Sequence, residues 1–260
     1  MRKYFRILRY AARDQVAYLP AFLARNLFFV IILFIFSSLW KVIYAGQSLI
    51  AGFSVVQALW YLTFTETVEL SKSRLLTRIQ GEVKDGSLAV TMTRPYSYPL
   101  SHFFHAMGES MVRLLPILAV GFLFATLFVG PLPGYFKALP FGLILLLCGM
   151  ALDTLWLLCI GLLAFWSEEV SPYYWIIQKL IFILGGLFIP IDMFPDWLSG
   201  IARTLPFAFS AYWPAYTMVS FSWRAFFTGL AGAACYIGAL SAVAALLFGL
   251  GKRRVHAQGG

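Results

Sequence analysis

The side chains best suited to chemistry are two histidines and a glutamate in the first half of the chain. His102, His105 and Glu109 are spaced by three and four residues, so a helix would place all three on one face. Imidazole and carboxylate groups in this arrangement could hold a metal ion or exchange protons. No further ligands accompany them, and Arg113 follows Glu109 by four residues as an ion-pair partner. We therefore interpret them as solvated or ion-paired residues and predict no metal site.

Two charged residues lie inside apolar runs, where an ionised group is costly. Asp153 occupies the middle of LLLCGMALDTLWLLCIGLLAFW, and Lys179 lies within the next run, YYWIIQKLIFILGG. A charge at the centre of a membrane helix costs about 2.5–3.5 kcal/mol, so such a residue faces a partner, a bundle interior or a water-filled path. The pattern predicts an inter-helix pair between Asp153 and Lys179. A place on a translocation path is the alternative.

Motifs for enzymatic chemistry are missing from the sequence. It contains no glycine-rich phosphate loop ending in Lys-Ser/Thr, no HExxH and no Gly-x-Ser-x-Gly. The three cysteines, Cys148, Cys159 and Cys235, lie within apolar runs and indicate neither a disulfide nor a metal framework. We predict that the chain has no catalytic residues and binds no cofactor of its own.

The elements that position these residues are predicted to be membrane helices. The chain is 61% hydrophobic and 12% charged, and its mean hydropathy of +0.81 excludes a surface that faces water throughout. Several apolar runs are long enough to cross about 30 Å of hydrocarbon. We predict an all-α integral membrane protein with one transmembrane domain, residues 1–260. Six transmembrane helices are predicted: Asn26–Tyr44, Leu49–Phe64, Phe104–Val129, Ala138–Trp166, Tyr173–Ile191 and Ala225–Leu250.

The distribution of lysine and arginine predicts the orientation. Six spans place both termini on one side of the membrane. Fifteen of the 20 Lys and Arg residues lie on that side, in the N-terminal segment, the loop after the second span and the C-terminus. Because cytoplasmic segments carry the excess of positive charge, both termini are predicted to be cytoplasmic. The net charge of +9 then reflects topology, and no nucleic-acid partner is expected.

Residues 1–25 are predicted to form an amphipathic helix in the membrane interface, and not a cleaved signal peptide. Its cationic face would hold Arg2, Arg6, Arg9 and Arg13, and its apolar face Phe5, Leu8, Ala12, Val16 and Leu19. Such a helix lies in the interface with its cations toward lipid head groups. The alternative is that these arginines only set the orientation.

A polar stretch after the second span, residues 66–100, interrupts the apolar pattern, and we call it the charged loop. Residues 66–79 are predicted to extend the second span as a helix that stops at Gln80–Gly81. Asp85–Gly86 then forms a turn, and Ser87 caps a short helix that ends before Pro95.

The short helix of the charged loop carries apolar side chains that a loop in water does not need. They are Leu88, Val90 and Met92. An exposed helix with apolar anchors is typical of a segment that docks in the groove of a partner. The pattern predicts a docking element, and the alternative is that this helix packs onto helices of its own chain.

A second interruption, residues 186–224, lies between the last two spans, and we call it the proline-rich segment. Prolines at four positions divide it into pieces too short to cross a bilayer: Pro190, Pro195, Pro206 and Pro214. Irregular backbone at membrane depth is tolerated only where protein or water covers it. We predict outer re-entrant half-helices that cover a cavity between subunits. The alternative is that the aromatic residues form an interfacial belt.

The order of these features resembles a known family. The loop sequence GEVKDGSLAVTMTRPYSYPL and the outer sequence LFIPIDMFPDWLSGIARTLPF are similar to those of permease subunits of type-2 ATP-binding-cassette exporters. Gly86, Leu88, Met92 and Pro95 approximate the loop pattern of that family, with Met92 where leucine is commoner. Within the family, the chain looks most like the branch that exports drugs and cationic dyes.

The resemblance implies a division of labour between subunits. Two permeases, identical or paralogous, would pair in the bacterial cytoplasmic (inner) membrane, and two copies of a separate ATPase would hold the ATP and magnesium. The residues implied to contact the ATPase, as a coupling helix, are Glu82, Asp85, Gly86, Ser87, Leu88, Met92, Arg94 and Pro95. The residues implied to form an outer gate are Phe188, Pro190, Phe194, Trp197, Phe207 and Tyr212.

Two other functions compete with a transporter permease. One is an integral-membrane enzyme acting on lipid, which would have to use His102, His105, Glu109 or Asp153. It would need an acid, a base and a nucleophile at one membrane depth, which the sequence does not offer. The other is a membrane scaffold without transport activity.

Overall fold

The computed structural model describes residues 2–16, 19–132, 134–167 and 169–258, with the side chains of 14–22 and 254–258 excluded. Over these ranges the chain is helical, without a named strand. The helices are α1 (Arg2–Val16), α2 (Leu19–Ile43), α3 (Val55–Leu70), α4 (Leu75–Lys84), α5 (Leu88–Met92), α6 (Tyr98–Phe128), α7 (Tyr135–Leu162), α8 (Ser171–Leu184), α9 (Asp196–Thr204), α10 (Pro206–Ser210), α11 (Tyr212–Val219) and α12 (Trp223–Gln258).

Four helices in the described ranges are long and apolar enough to cross a membrane: Leu23–Ile43, Tyr98–Phe128, Tyr135–Phe165 and Trp223–Arg253. The second and fifth predicted spans coincide with α3 and α8, which have only 16 and 14 residues. The all-α membrane architecture is therefore confirmed, whereas the count of six spans remains a prediction.

Helix α3 lies at the centre of the molecule. A capping box begins it: the Ser54 hydroxyl accepts from the Gln57 backbone N–H at 3.2 Å, and the Gln57 side chain accepts from the Ser54 N–H at 3.0 Å. Every residue from 58 to 68 is buried. Helix α7 is also largely enclosed, whereas α2 and α12 expose most of their apolar surface. The long exposed helices thus surround a core formed by α3 and α7.

Helix α1 packs along α6. Its inward face consists of Tyr4, Leu8 and Ala11, spaced by four and three residues. The approach is close because a Cβ atom at Gly108 of α6 would lie 2.3 Å from the Leu8 carbonyl oxygen. Phe5, predicted on the apolar face, is 56% exposed, so it is available to lipid. Val16 and Leu19, also predicted on that face, have side chains outside the described residues.

The charged loop is divided differently from the prediction. Helix α3 ends at Leu70, and four residues without helix precede α4. Distant side chains bind the backbone here: Arg113 Nη1 donates to the Lys72 carbonyl at 2.6 Å, and Glu109 Oε2 accepts from the Arg74 N–H at 3.3 Å. Helix α4 continues through Gln80–Gly81, so the predicted stop was wrong. The helix ends at Lys84, where the turn begins.

The proline-rich segment consists of short helices, as its prolines indicate. Helix α8 ends at Leu184, a single 3₁₀ turn covers Ile191–Met193, and α9, α10 and α11 follow with nine, five and eight residues. Pro195 precedes α9, and Pro206 is the first residue of α10, a position where the missing N–H breaks no helical hydrogen bond. Helix α11 packs against α3, α7 and α12.

Candidate functional site

The turn of the charged loop depends on an aspartate and a glycine. Gly86 has a φ of +76°, a left-handed conformation that glycine adopts without strain. The Asp85 carboxylate accepts the Ser87 N–H at 2.9 Å, and its hydrogen bonds with Ser87 lower the pKa of Asp85. The predicted turn is present, but the Ser87 side chain does not cap α5. Asp85 satisfies the backbone instead.

Leu88 was predicted to face a partner, and the structure directs it inward. It is 3% exposed, in a cluster with Leu75 and Ile79 of α4 and with Leu152 of α7. A helix of five residues offers too little apolar surface to remain ordered unless it is anchored on a neighbour. Leu88 supplies this anchor, so the alternative of packing onto the chain itself holds for its side chain.

The rest of α5 divides into a packed side and an exposed side. Met92 is half-buried against the same cluster as Leu88. Val90 is 64% exposed. Asp85, Gly86, Arg94 and Pro95 are also exposed. The surface that remains for a partner is therefore the turn, Val90 and the residues after α5.

Glu82 holds α4 to the beginning of α6. Tyr98 Oη donates to Glu82 Oε2 at 2.8 Å, and His102 Nε2 lies 3.2 Å from the same oxygen. Burial opposes ionisation of Glu82, but the bonds from His102 and Tyr98 outweigh it and lower its pKa. Glu82 therefore serves the interior of the protein, although it was predicted to contact an ATPase.

The N-terminal helix is tied to the end of the charged loop. Lys3 Nζ donates to the Pro95 carbonyl at 2.7 Å, and Tyr4 Oη accepts the Ser97 N–H at 3.0 Å. Arg94 donates to Tyr96 Oη at 2.9 Å. Because α1 also packs on α6, the exposed end of the loop is held by two helices.

The loop is also joined to the start of α8. Lys84 Nζ lies 3.2 Å from Glu169 Oε2, between partly exposed side chains. Glu169 Oε1 accepts the Ser171 N–H, the first backbone N–H of α8, at 3.1 Å. The hydrogen bonds from Ser171 lower the pKa of Glu169 to about 2. Glu168, the other acidic residue of this short connection, lies outside the described residues.

The two histidines and Glu109 do not form one cluster. His105 Nδ1 lies 2.6 Å from Arg78 Nη1, and Arg78 Nη2 pairs with Glu109 Oε1 at 2.5 Å. His102 turns toward Glu82 instead. Over the described residues, no three His, Cys, Asp or Glu side chains are grouped as metal ligands. Arg78 contacts both His105 and Glu109, whose own Nδ1 and Oε1 atoms lie 3.8 Å apart.

Asp153 pairs with a lysine, but not with the predicted one. Lys72 Nζ lies 3.8 Å from Asp153 Oδ2 and also pairs with Glu69. The Gln178 side chain of α8 donates to Glu69 Oε1 at 3.1 Å. We call these four residues the buried charge network. It links α3 and the segment after it to α7 and α8.

Lys179 points away from this network. Its Nζ lies 5.0 Å from the centre of the Phe182 ring and 5.8 Å from that of Trp175, on the exposed side of α8. The predicted pair with Asp153 was wrong because depth alone was considered. Adjacent residues of a helix point about 100° apart. The Gln178 side chain faces the core, so the Lys179 side chain cannot face it too.

Two small cavities flank the buried charge network. Each has a volume of about 10 Å³. Ser71, Ser73 and Thr154 line the first, and Trp156, Tyr174 and Gln178 line the second. Asp153 Oδ1 has no hydrogen-bond partner in the described part of the chain. A volume of this size with polar walls fits about one water molecule.

The predicted outer-gate residues are divided between packed and exposed positions. Phe188 stacks on Phe36 of α2 with ring centres 5.1 Å apart, and Phe207 stacks on Trp156 at 5.6 Å. Pro190 is buried, and Phe194 is half-buried. Trp197 is 70% exposed, so it does not belong to the same packed group.

Tyr212 participates in a polar group within the proline-rich segment. Its Oη donates to Asp192 Oδ2 at 3.0 Å, and Arg203 Nη2 pairs with Asp192 Oδ1 at 2.7 Å. The Trp213 indole donates to the Arg203 carbonyl at 3.2 Å. These bonds join the 3₁₀ turn, α9 and α11.

A polar stripe on α3 was missed from the sequence. Gln57 donates to the Val219 carbonyl at 3.2 Å, Tyr61 to the Gly186 carbonyl at 2.5 Å, and Thr65 to the Leu187 carbonyl at 2.6 Å. Glu69 continues the spacing of four residues and accepts from Gln178. We call these four residues the α3 stripe. The regular spacing was the available signal, because it places them on one helix face.

Comparison with family models matches the chain, over residues 24–259, to a family described as ABC-2 family transporter protein. Comparison with curated proteins gives no match. The matched range includes the charged loop, the buried charge network and the proline-rich segment.

Proposed function

Because the chain belongs to the ABC-2 family of transporter proteins, we propose that it is the permease of an exporter whose ATPase is a separate subunit. The family is a membrane component of ATP-binding-cassette transporters, which implies a partner ATPase. The proposal adds that transport is outward and that the substrate is hydrophobic or amphiphilic. It also adds that two permeases, identical or paralogous, work with two ATPase copies that hold ATP and magnesium.

The exposed surface of the charged loop carries the proposal. Val90 is an apolar side chain exposed next to the turn at Asp85 and Gly86, and Arg94 and Pro95 continue the surface. Leu88 and Met92 anchor α5 on the apolar cluster formed with α4 and α7. A firmly anchored helix with one exposed apolar side chain suits a groove in a partner. Leu88, Met92 and Glu82 then position the surface, while Val90 and the turn contact the ATPase.

Movement of the loop would be passed on through its attachments. The Lys84–Glu169 ion pair connects the loop to α8, and the hydrogen bonds of Lys3 and Tyr4 connect it to α1. The buried charge network joins the end of α3 to α7 and α8. We propose that this network keeps these helices together in the state described, and that its separation accompanies opening of the translocation path. Phe188, Pro190, Phe194, Phe207 and Tyr212 then form the closed outer side.

The proposed location is the bacterial cytoplasmic membrane with both termini in the cytosol. Supporting it is the excess of lysine and arginine in the charged loop and near the termini. The exposed apolar faces of α2 and α12 are available for lipid or for a second permease. No nucleic-acid partner is proposed.

The test is recovery of ATPase activity with the tagged permease. From the native host in mild detergent, the wild-type chain should bring down a subunit that hydrolyses ATP. Val90→Asp should lower the recovered ATP turnover by about tenfold, because a charge placed in an apolar contact costs more than about 1.4 kcal/mol. The matched control is Leu49→Asp, which adds the same charge at an exposed leucine before α3, on the proposed outer side.

The possible outcomes separate the candidate functions. Equal ATPase recovery from wild type and Val90→Asp would contradict the docking surface. Absence of any ATP-hydrolysing partner would contradict the transporter and favour a scaffold. Turnover of a lipid by the purified chain alone would favour an enzyme. That last outcome has little structural support, since His102, Glu109 and Asp153 have separate partners.

A further inference from the structure

Glu66 of α3 is a buried acid that the proposed function leaves unused. Its side chain belongs to the interior of the protein, with the residue only 2% exposed. Across the described part of the chain, its carboxyl group forms no hydrogen bond and no ion pair. Two other buried acids differ from it in this respect, because Glu109 pairs with Arg78 and Asp153 pairs with Lys72.

The face of α3 that carries Glu66 is apolar on both sides of it. Leu62 and Leu70 lie four residues before and after it, so all three share one face of the helix. Leu62 and Leu70 pack in an apolar cluster with Phe29 of α2 and with Phe188. An ionised carboxylate in such surroundings loses its hydration without gaining a bond in return. This cost normally leads the group to take up a proton.

The charged neighbours of Glu66 on its own side of the molecule do not remove this cost. Glu69 follows it by three residues on α3, and repulsion between two carboxylates disfavours ionisation of Glu66. Lys72 attracts Glu66, but its ammonium group is paired with Glu69 and Asp153. The cation within reach is therefore already shared by two other acids.

The helices that pack against α3 do not supply a partner either. None of their titratable side chains forms an ion pair with Glu66 across the described residues. These side chains are Arg25 and Lys41 of α2, His102, His105, Glu109 and Arg113 of α6, and Lys137 and Asp153 of α7.

We propose that Glu66 binds a proton and is a neutral carboxylic acid in the state described. If α3 separates from its neighbours and water reaches the side chain, the O–H bond ionises and the proton passes to water, because a hydrated glutamate is ionised at neutral pH. Binding of the proton and close packing of this face of α3 therefore favour each other. The pH on the side from which water enters would then influence how readily α3 leaves its neighbours.

The first test is infrared spectroscopy of the full chain in detergent. A protonated carboxyl group has a carbonyl stretching band that is distinct from those of amides and carboxylates and shifts in D₂O. At neutral pH the wild type should show a band of this kind that Glu66→Gln removes. The control Glu69→Gln changes an acid of the same helix that is paired with Lys72, and it should leave the band in place.

The second test is the melting temperature as a function of pH. An unfolded glutamate releases its proton at about pH 4.3, whereas the folded chain is proposed to keep it on Glu66. Because the folded state then binds more protons than the unfolded state, Glu66 lowers stability increasingly as the pH rises above about 4.3. Glu66→Gln and Glu66→Leu lack this penalty. Their melting temperatures should therefore rise relative to that of the wild type between about pH 4 and pH 7.

Two results would overturn the inference. One is an infrared band that is unchanged in Glu66→Gln. The other is a melting-temperature difference that does not move in favour of the variants as the pH rises, which is the behaviour of an ionised and paired carboxylate. Glu66→Leu keeps the second test decisive if the amide of Glu66→Gln fits poorly, since only the trend with pH is compared. ATPase recovery, measured on the same preparations, tests the proposed function separately, and its absence would leave the result for Glu66 intact.

Discussion

The charged loop and the proline-rich segment both break long helices into short ones, but they are held in different ways. In the charged loop the main contacts are ionic: Lys84 with Glu169, Arg78 with Glu109, and Glu82 with Tyr98 and His102. The proline-rich segment has the ion pair of Arg203 with Asp192 and is otherwise held by neutral side chains that donate to its backbone carbonyls, as Tyr61 and Thr65 do.

The difference follows from the surroundings of each backbone. Where water is absent, a carbonyl without a donor costs several kcal/mol, so a broken helix must receive donors from neighbouring helices. Near water, solvent can replace a lost bond, and charged groups remain hydrated. We conclude that the proline-rich segment is rigidly specified by α3, whereas the charged loop tolerates more change. Three predictions test this contrast.

The largest difference in the free energy of unfolding is expected between alanine variants of two glycines with positive φ. Alanine in this conformation costs about 1–2 kcal/mol at either position. At Gly186, φ +68°, a Cβ would also lie 2.8 Å from Ile191 and 3.0 Å from Tyr61 Oη, while at Gly86 nothing lies within 4 Å. Gly186→Ala should therefore lower the free energy of unfolding by about 3 kcal/mol or more, and Gly86→Ala by about 1 kcal/mol.

Thermal unfolding in detergent, followed by tryptophan fluorescence, measures both glycine variants under the same conditions. The inserted fraction after expression serves as a control for assembly. Equal destabilisation by the two variants would remove the contrast between the segments.

A smaller difference in the free energy of unfolding is expected between phenylalanine variants of two tyrosines. Tyr61→Phe leaves the buried Gly186 carbonyl without its donor, which costs about 1–3 kcal/mol. Tyr98→Phe removes a bond to Glu82, but Glu82 keeps His102 at 3.2 Å and is partly exposed. We expect a loss below about 1.5 kcal/mol there. The same unfolding measurement applies, and a larger effect at Tyr98 would reverse our assignment of the rigid segment.

The smallest effect is expected from the exposed pair Lys84–Glu169. A double-mutant cycle with Lys84→Met and Glu169→Gln should give a coupling energy close to zero, because both side chains are exposed and solvent screens the pair. A coupling as large as the effect of Tyr61→Phe would show that the pair is not screened by solvent.

The contribution of Glu169 should also depend on pH in a defined direction. Its folded pKa is lowered from 4.5 to about 2, first by its bonds with Ser171. A lowered pKa stabilises the fold above the unfolded pKa, so the contribution is complete above about pH 4.5 and is lost as the pH falls toward 2. The difference in melting temperature between wild type and Glu169→Gln should stay constant from pH 7 to 5 and decrease below that.

The features found from the sequence are those with local causes. The turn at Gly86 follows from Asp-Gly, the short outer helices follow from proline, and the apolar runs identify the four long helices. Each of these depends on residues a few positions apart. Local chemistry therefore determines them without knowledge of the rest of the fold.

The features missed depend on rotation and on distant partners. The apolar residues of α5 do not show from the sequence whether they contact a partner or the chain itself. In the structure Leu88 is buried and Val90 is exposed. The depth of Lys179 was compatible with Asp153, but its direction was not. The end of α3 at Leu70 depends on Arg113 and Glu109, more than thirty residues away.

The α3 stripe has a mechanical consequence. A helix of 16 residues is about 24 Å long and, with its backbone bonds complete, moves as one stiff rod. The stripe fastens this rod to the carbonyls of Gly186 and Leu187 along its length, and Glu69, one turn beyond Thr65, fastens it to Gln178. A displacement of Ser71, next to one end of this rod, is thus passed to Val55 at the other end without an intermediate joint that could absorb it.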